Sequence, residues 1–238
     1  MSFLKAEWRK LALANYVIDK NVLVKYLPAG TELDIWNGNC YVSLVGFMFV
    51  NTKLLGIKIP YHVNFEEVNL RFYVKRLENG EWKRGVVFIK EIVPKHALTF
   101  VANTVYNENY ETLPMEHVWS TENDERTVQY KWKRSSKWNS IEIKASIDSY
   151  PIEADSETEF ITEHYWGYAK VNDQKSNEYE VTHPTWQVYK VNDYDIDVDF
   201  GAVYGKEFEF LNSLTPNSVM LAEGSKITVE SKRTIRKN

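Results

Sequence analysis

The chain is poor in the residues that staple small folds or bind metals. It has one cysteine, Cys40, in 238 residues. No internal disulfide can form, and a reducing, cytoplasmic setting is expected. A chain this long buries about three quarters of its unfolded surface and needs neither disulfide nor metal to fold. Glycine is scarce at 10 residues; no G-x-G-x-x-G, phosphate loop or G-x-S-x-G elbow occurs. The five histidines, His62, His96, His117, His164 and His183, are scattered without an H-E-x-x-H, so no metal or other cofactor is expected. Lys and Arg total 29 against 33 Asp and Glu, a net charge of -4. That balance argues against nucleic acid as a partner. No apolar run reaches the length of a membrane-spanning helix, and the most apolar stretch, 40–50, is one strand long. The opening MSFLKAEWRK has no secretory signal pattern. The acidic stretch 192–199 (NDYDIDVD) lacks the glycine and distal glutamate of an EF-hand and reads as a solvated strand face.

Aromatic residues, by contrast, are abundant: 15 Tyr, 11 Phe and 8 Trp. Aromatic side chains suit pleated, half-buried surfaces, which points to a β-rich chain. Core filling and an aromatic-lined ligand cavity both explain them.

The spacing predicts about ten strands and two or three short helices in one domain, residues 1–238. Residues 8–16 alternate loosely as a strand. The segment 19–26 (DKNVLVKY) predicts a short helix capped by Asp19. Residues 32–36 are extended, Asn37-Gly38 is a hairpin signal, and 41–50 reads as a central strand. Residues 68–77 (VNLRFYVKRL) alternate cleanly, turn at Asn79-Gly80, and return through 85–93. Pro94 is placed to open a helix with an apolar stripe of Ala97, Leu98, Val101, Ala102 and Val105. The polar stretch 120–125 (STENDE) reads as a loop. Residues 127–133 and 138–147 form a second hairpin. Ser156 and Glu159 make a capping box that starts a helix through Phe160, Ile161, Tyr165 and Tyr168. Further strands are expected at 186–191, 207–210 and 227–233. The sum is an antiparallel, mainly β (α+β) fold, not a doubly wound parallel sheet.

Two constellations stand out. Glu67, Asn69, Arg71 and Tyr73 share one face of a period-two strand, opposite Val68, Leu70, Phe72 and Val74. The polar face is either solvent-exposed or turned into a cavity, where a charged pair must be satisfied and could hold a carboxylate. In the cavity case Arg71 needs an anionic partner, from another strand or from a ligand. The second constellation is Thr182-His183-Pro184-Thr185-Trp186, with a histidine held extended before proline. His183 and Trp186 fit an edge strand beside the core, or an imidazole and indole on one cavity wall.

At these residues the sequence resembles the YqjF-like family of bacterial proteins, within the acetoacetate-decarboxylase-like superfamily. The resemblance runs from Trp8 and Leu11 through Leu27-Pro28, Leu33-Asp34, Gly38 and the strand 41–47. Its most specific block is F-x-E-x-N-x-R-x-Y-V, present as Phe65, Glu67, Asn69, Arg71, Tyr73 and Val74. Gly85, Phe88, Leu113-Pro114, residues 160–163 with Tyr165 and Tyr168, and His183-Pro184-Thr185-Trp186 continue it. The resemblance implies a β-barrel-like fold with a cone-shaped interior. In the decarboxylase relatives a lysine in that interior forms a Schiff base with a β-keto acid, its amine activated by a lowered pKa. The matching segment here, 106–112 (YNENYET), has no lysine, and the superfamily's acidic residue corresponds to Glu67. Lys90 and Lys95, the nearest lysines, read as surface residues. Asn103 stands where relatives carry an arginine.

Two functions follow as expectations, with a structural or assembly protein whose barrel is filled as a third reading. One is a small-molecule binding protein, with Glu67, Asn69, Arg71, Tyr73, His183 and Trp186 around an organic, carboxylate-like ligand. The other is an enzyme that uses Glu67 or His183 as acid or base. A homo-oligomer stays open.

Overall fold

A computed structural model describes residues 2–237. Fourteen strands account for most of the chain. They are β1 (Leu4–Ile18), β2 (Glu32–Leu33), β3 (Cys40–Leu54), β4 (Phe65–Glu78), β5 (Glu81–Val93), β6 (Tyr110–Thr112), β7 (Met115–Glu122), β8 (Glu125–Arg134), β9 (Lys137–Pro151), β10 (Trp166–Asn172), β11 (Lys175–Thr182), β12 (Gln187–Asp197), β13 (Ser218–Val229) and β14 (Arg233–Arg236). Three short helices join them: α1 (His96–Val101), α2 (Glu157–Thr162) and α3 (Phe200–Tyr204).

The strands form one sheet in the order β14-β11-β10-β5-β4-β3-β1-β13-β12-β9-β8-β7, with β2 added to β4 and β6 to β5. β11 also pairs with β13 through Val181–Val229 and Thr182–Thr228. The ladders are antiparallel except two short parallel ones, β10 on β5 and β6 on β5. No helix of the described residues is long and apolar enough to cross a membrane.

The central strands are buried on both faces, which accounts for the unbroken apolar run in β3. On one side, Val68, Leu70 and Phe72 of β4 join Tyr130, Trp132, Ile141 and Ile143 of β8 and β9, closed by Phe200 and Phe208. On the other side, Leu11, Phe47, Phe49, Phe65, Phe160 and Trp186 form a second apolar cluster. Burying side chains of this size is the main stabilising contribution, roughly 2 kcal/mol each.

Several expectations are corrected. Residues 19–26 form two 3-10 turns, Lys20–Val22 and Val24–Tyr26, not one helix; Asp19 does cap the first, its side chain accepting from the Asn21 N–H. Helix α1 starts at His96, two residues beyond Pro94, and continues as a π-helical turn, Ala102–Tyr106. The stretch 120–125 is no loop: Asn123 and Asp124, both at positive φ, make the tight turn between β7 and β8. Asx side chains tolerate that conformation. Ser156 caps α2 by accepting from the Glu159 N–H, but the helix ends at Thr162. Tyr165 and Tyr168 leave it because the Tyr165 N–H donates to the Arg84 carbonyl and β10 then pairs with β5. Residues 207–210 lie in a 3-10 helix, Lys206–Ser213, where Phe208 and Leu211 reach the core with a period of three. The strand expected at 227–233 breaks after Val229, since β14 pairs with β11 instead. Of residues 192–199, only 192–197 are strand and largely exposed; Val198 is buried and Asp199 caps α3.

Candidate functional site

The polar face of β4 is turned inward. Glu67, Asn69, Arg71 and Tyr73 are all buried, and the first three line a cavity of about 340 Å³. A cavity of that size suits a small organic molecule. Most of its wall is apolar, from Trp8, Phe47, Phe49, Phe65 and Phe88, with Leu98, Val101 and Ala102 of the α1 segment on one side. His183 and Trp186 also line it. They stack on each other with ring centroids 4.4 Å apart. Tyr73 does not reach the cavity: its hydroxyl bonds Ser43 Oγ at 2.7 Å, and its ring packs against His164.

Arg71 carries the least satisfied charge in this wall. It is 7% exposed, its Nε has no partner, and its best hydrogen bond is from Nη2 to the Ile161 carbonyl at 3.4 Å. The sequence allowed a carboxylate from another strand as its partner; among the described residues none comes within ion-pair distance. A buried guanidinium with one long hydrogen bond is costly to hold, and its other donors are left for whatever fills the cavity, water or a ligand.

Glu67 accepts from Asn69 Nδ2 at 3.0 Å and from Tyr110 OH at 3.2 Å. Burial pushes its carboxyl up to about 7, although those bonds and Arg71 pull the other way. Two further carboxyls share the cavity wall, Glu91 of β5 and Glu108 just before β6. Glu108 accepts from Tyr179 OH at 2.8 Å, and burial raises it to about 7. Glu91 is raised well above the usual carboxylate range by burial, then by the charges of Glu108 and Glu67; its Oε2 has no partner. Among the described residues no group of three or more His, Cys, Asp or Glu is placed to hold a metal ion.

His164, at the end of α2, is the other group that sequence reasoning missed. Its Nε2 lies 3.3 Å from Asp34 Oδ2, and Arg84 Nε donates to the same oxygen at 2.6 Å. A carboxylate only accepts, so Nε2 carries the imidazole proton and Nδ1, which has no partner, is bare. Burial lowers His164 to about 4 despite Asp34, so the ring is neutral. Burial also lowers His183, whose Nδ1 donates to the Pro184 carbonyl at 3.0 Å.

The position of Glu91 follows from a bulge. Asn69 pairs with Glu91 and Leu70 with Lys90, but Arg71 pairs with Phe88, so Ile89 is an extra residue on β5. The Asn109 side chain donates to the freed Ile89 carbonyl at 2.7 Å. Phe88 and Glu91, three apart, therefore both face the cavity. Lys90 points the other way and is half-buried, its amine bonded to Glu111 and to the Val203 carbonyl. The surface placement expected for it is corrected; Lys95 is half-buried too. Asn103 clamps β6 in place: its amide bonds both the carbonyl and the N–H of Tyr110.

Comparison with known proteins fits this arrangement. Residues 5–226 match the family DUF2071, described as an uncharacterized conserved protein. The chain belongs to that family. It is 26% identical over 164 residues to the uncharacterized protein YqjF of Bacillus subtilis (strain 168), a match that covers 68% of this chain and 63% of YqjF. The chain thus matches less than two thirds of the length of YqjF. Among solved structures, the acetoacetate decarboxylase of Legionella pneumophila superposes with a TM-score of 0.65 at 12% identity, covering 98% of this chain and 86% of the other. An acetoacetate decarboxylase-like enzyme from Sphingomonas wittichii RW1 gives 0.66 at 8% identity, covering 100% and 95%. The enduracididine biosynthesis enzyme MppR in complex with pyruvate gives 0.66 at 11%, covering 98% and 91%. At such identities the likeness establishes the fold of this DUF2071 member as acetoacetate-decarboxylase-like.

Proposed function

We propose that this protein binds a small organic molecule through its carboxylate, inside the cavity and without a Schiff-base lysine. The observation that carries the reading is Arg71: a guanidinium buried in a mostly apolar wall, with no carboxylate of the described residues within ion-pair distance. A guanidinium fork grips a carboxylate in a planar, bidentate way. No lysine stands among the cavity-lining residues. The reading takes the sheet as a barrel tapering around this cavity, supported by the β11–β13 pairing, which joins the two ends of the run β11-β10-β5-β4-β3-β1-β13. MppR, of like fold, is described in complex with pyruvate, a carboxylate. Asn69, Glu67, His183 and Trp186 would shape the rest of the contact.

A thermal-shift series with pyruvate and straight-chain monocarboxylates tests this, because a ligand that binds only the folded state raises its melting temperature. Carboxylates should stabilise the wild type, and Arg71→Lys should fold yet lose most of the response. Full response in Arg71→Lys, or none in the wild type, overturns the reading. Borohydride reduction with acetoacetate should trap no adduct; an adduct on any lysine overturns the second half of it.

One observation favours an enzyme instead: the Glu67 carboxyl, raised to about 7, is poised to exchange a proton near neutrality. His183 is the other candidate: its Nδ1 donates to the Pro184 carbonyl, which leaves Nε2 as the basic nitrogen. Loss of deuterium from the α-carbon of a bound keto acid, abolished in Glu67→Gln, would establish that activity.

A further inference from the structure

The cavity holds more acid than its single arginine can balance. Glu67, Glu91 and Glu108 enter from β4, β5 and the turn before β6; among the described residues Arg71 is the only Lys or Arg lining the cavity with them, and burial disfavours the charged forms of His164 and His183. The available hydroxyl donors are already committed: Tyr110 donates to Glu67 and Tyr179 to Glu108.

Two acceptors are left over. Glu91 Oε2 and Asn69 Oδ1 have no hydrogen-bond partner, and both residues are almost fully buried, at 2% and 1% exposed. They sit opposite one another across the β4–β5 ladder, on the cavity side. The Asn69 amide is held by its Nδ2, which donates to Glu67 at 3.0 Å. Burial favours the protonated form of Glu91, which is then itself a donor; a ligand with several N–H groups and a positive charge would ionise it and leave both oxygens as acceptors.

We propose that this end of the cavity receives a cationic nitrogen, so that the ligand is two-ended: an amine or guanidinium at Glu67, Glu91 and Asn69, and a carboxylate at Arg71. This rests on the carboxylate reading of Arg71 given above and narrows it to amino-acid-like zwitterions. The dimensions agree. Asn69 and Arg71 are two positions apart on β4 and Glu67 and Arg71 four, about 7 and 13 Å between Cα atoms at 3.3 Å per residue. Their side chains converge on one cavity, which leaves room for a short methylene chain between the two ends. The aromatic wall of Phe47, Phe49, Phe65 and Phe88 is the apolar surface along which such a chain would lie. Bringing a cation to the acids also ionises them. Burial holds Glu67 and Glu108 near 7 and Glu91 higher, so a ligand ammonium displaces protons that these groups otherwise keep.

The test compares three probes of one chain length: ε-aminocaproate, caproate and hexylamine. Calorimetry on the wild type should show ε-aminocaproate binding at least about tenfold tighter than caproate, a difference of about 1.4 kcal/mol. At about pH 6 its binding should release up to one proton, read from titrations in buffers of different ionisation heat. Glu91→Gln should bring ε-aminocaproate down to the affinity of caproate. Should that variant not fold, Glu67→Gln and the proton release of the wild type carry the same decision. Equal binding of caproate and ε-aminocaproate, with no proton released, overturns the cationic end and leaves the carboxylate reading standing. Binding of hexylamine with rejection of caproate overturns the carboxylate reading and with it the two-ended ligand. No heat and no melting shift from any of the three overturns both.

Discussion

Asn69 and Glu91 face each other across the β4–β5 ladder, one residue pair from the point where the ladder slips at Ile89. That slip sets the chemistry of the cavity, because it turns Glu91 toward Glu67 and sends Lys90 to the opposite core. The acidic wall is therefore a product of backbone register as much as of composition.

The first prediction concerns pH. In the folded chain Glu91 and Glu67 titrate above their unfolded values, the latter at about 7. A raised carboxyl contributes stability that is present below the unfolded value of 4.5 and is lost as pH rises through the folded one. Glu91→Gln should thus melt above the wild type at about pH 8 and lose that advantage at about pH 5. Melting curves of both proteins across that range decide it; a constant difference contradicts the assignment.

The second concerns Asp34, where the sign reverses. Burial opposes its ionisation, but bonds from His164 and Arg84 outweigh burial and hold the carboxyl below its usual value. Its contribution is present above the unfolded value of 3.8 and disappears as pH falls through the folded one. Asp34→Asn should cost about 2 kcal/mol near neutrality, discounted because Arg84 is a third exposed. In urea titrations that deficit should shrink below about pH 4.

A third prediction tests the wall around Glu108. A Cβ at Gly167 would lie 2.1 Å from the Tyr179 ring, so the ring must move and its hydroxyl leave Glu108. Gly167→Ala should destabilise the chain by about 1–3 kcal/mol, as overpacking does. Gly56→Ala, at a position with open space but positive φ, gives the comparison for backbone strain alone.

Cys40 should be inert. It is buried at the start of β3, and burial pushes its thiol up to about 11. A thiol-reactive dye should label it in denaturant and leave the native protein unmodified for hours.

Much of this was legible because β4 alternates without a fault: the Glu67, Asn69, Arg71 and Tyr73 face follows from a period of two. Even so, the strand pattern alone left open whether that face met water, since burial of both faces depends on strands over fifty residues away. Tyr73 shows the limit of reading a shared face as a shared site; it points inward but stops at Ser43. Glu91 was hidden by the bulge, which the even spacing of 85–93 does not announce. His164 was hidden by the early end of α2, where pairing of Trp166 with Gly85 overrides a helical pattern that runs on to Tyr168. The 3-10 helix over 206–213 was missed because Phe208 and Phe210 look like strand alternation, while the buried pair is Phe208 and Leu211.

The α1 segment has none of its own side chains buried, leads into a π-helical turn, and ends at Asn107 in the left-handed region. Yet Ala97, Leu98 and Val101 close one side of the cavity. The groups that would grip a ligand belong to the middle of the sheet, and the cover belongs to one of the least anchored pieces of the chain. Amide protons of 96–106 should therefore exchange with solvent well before those of β4. Affinity and residence time would then answer to different residues: how tightly a molecule is held to the β4–β5 ladder, and how long it stays to the fraying of a few helical turns.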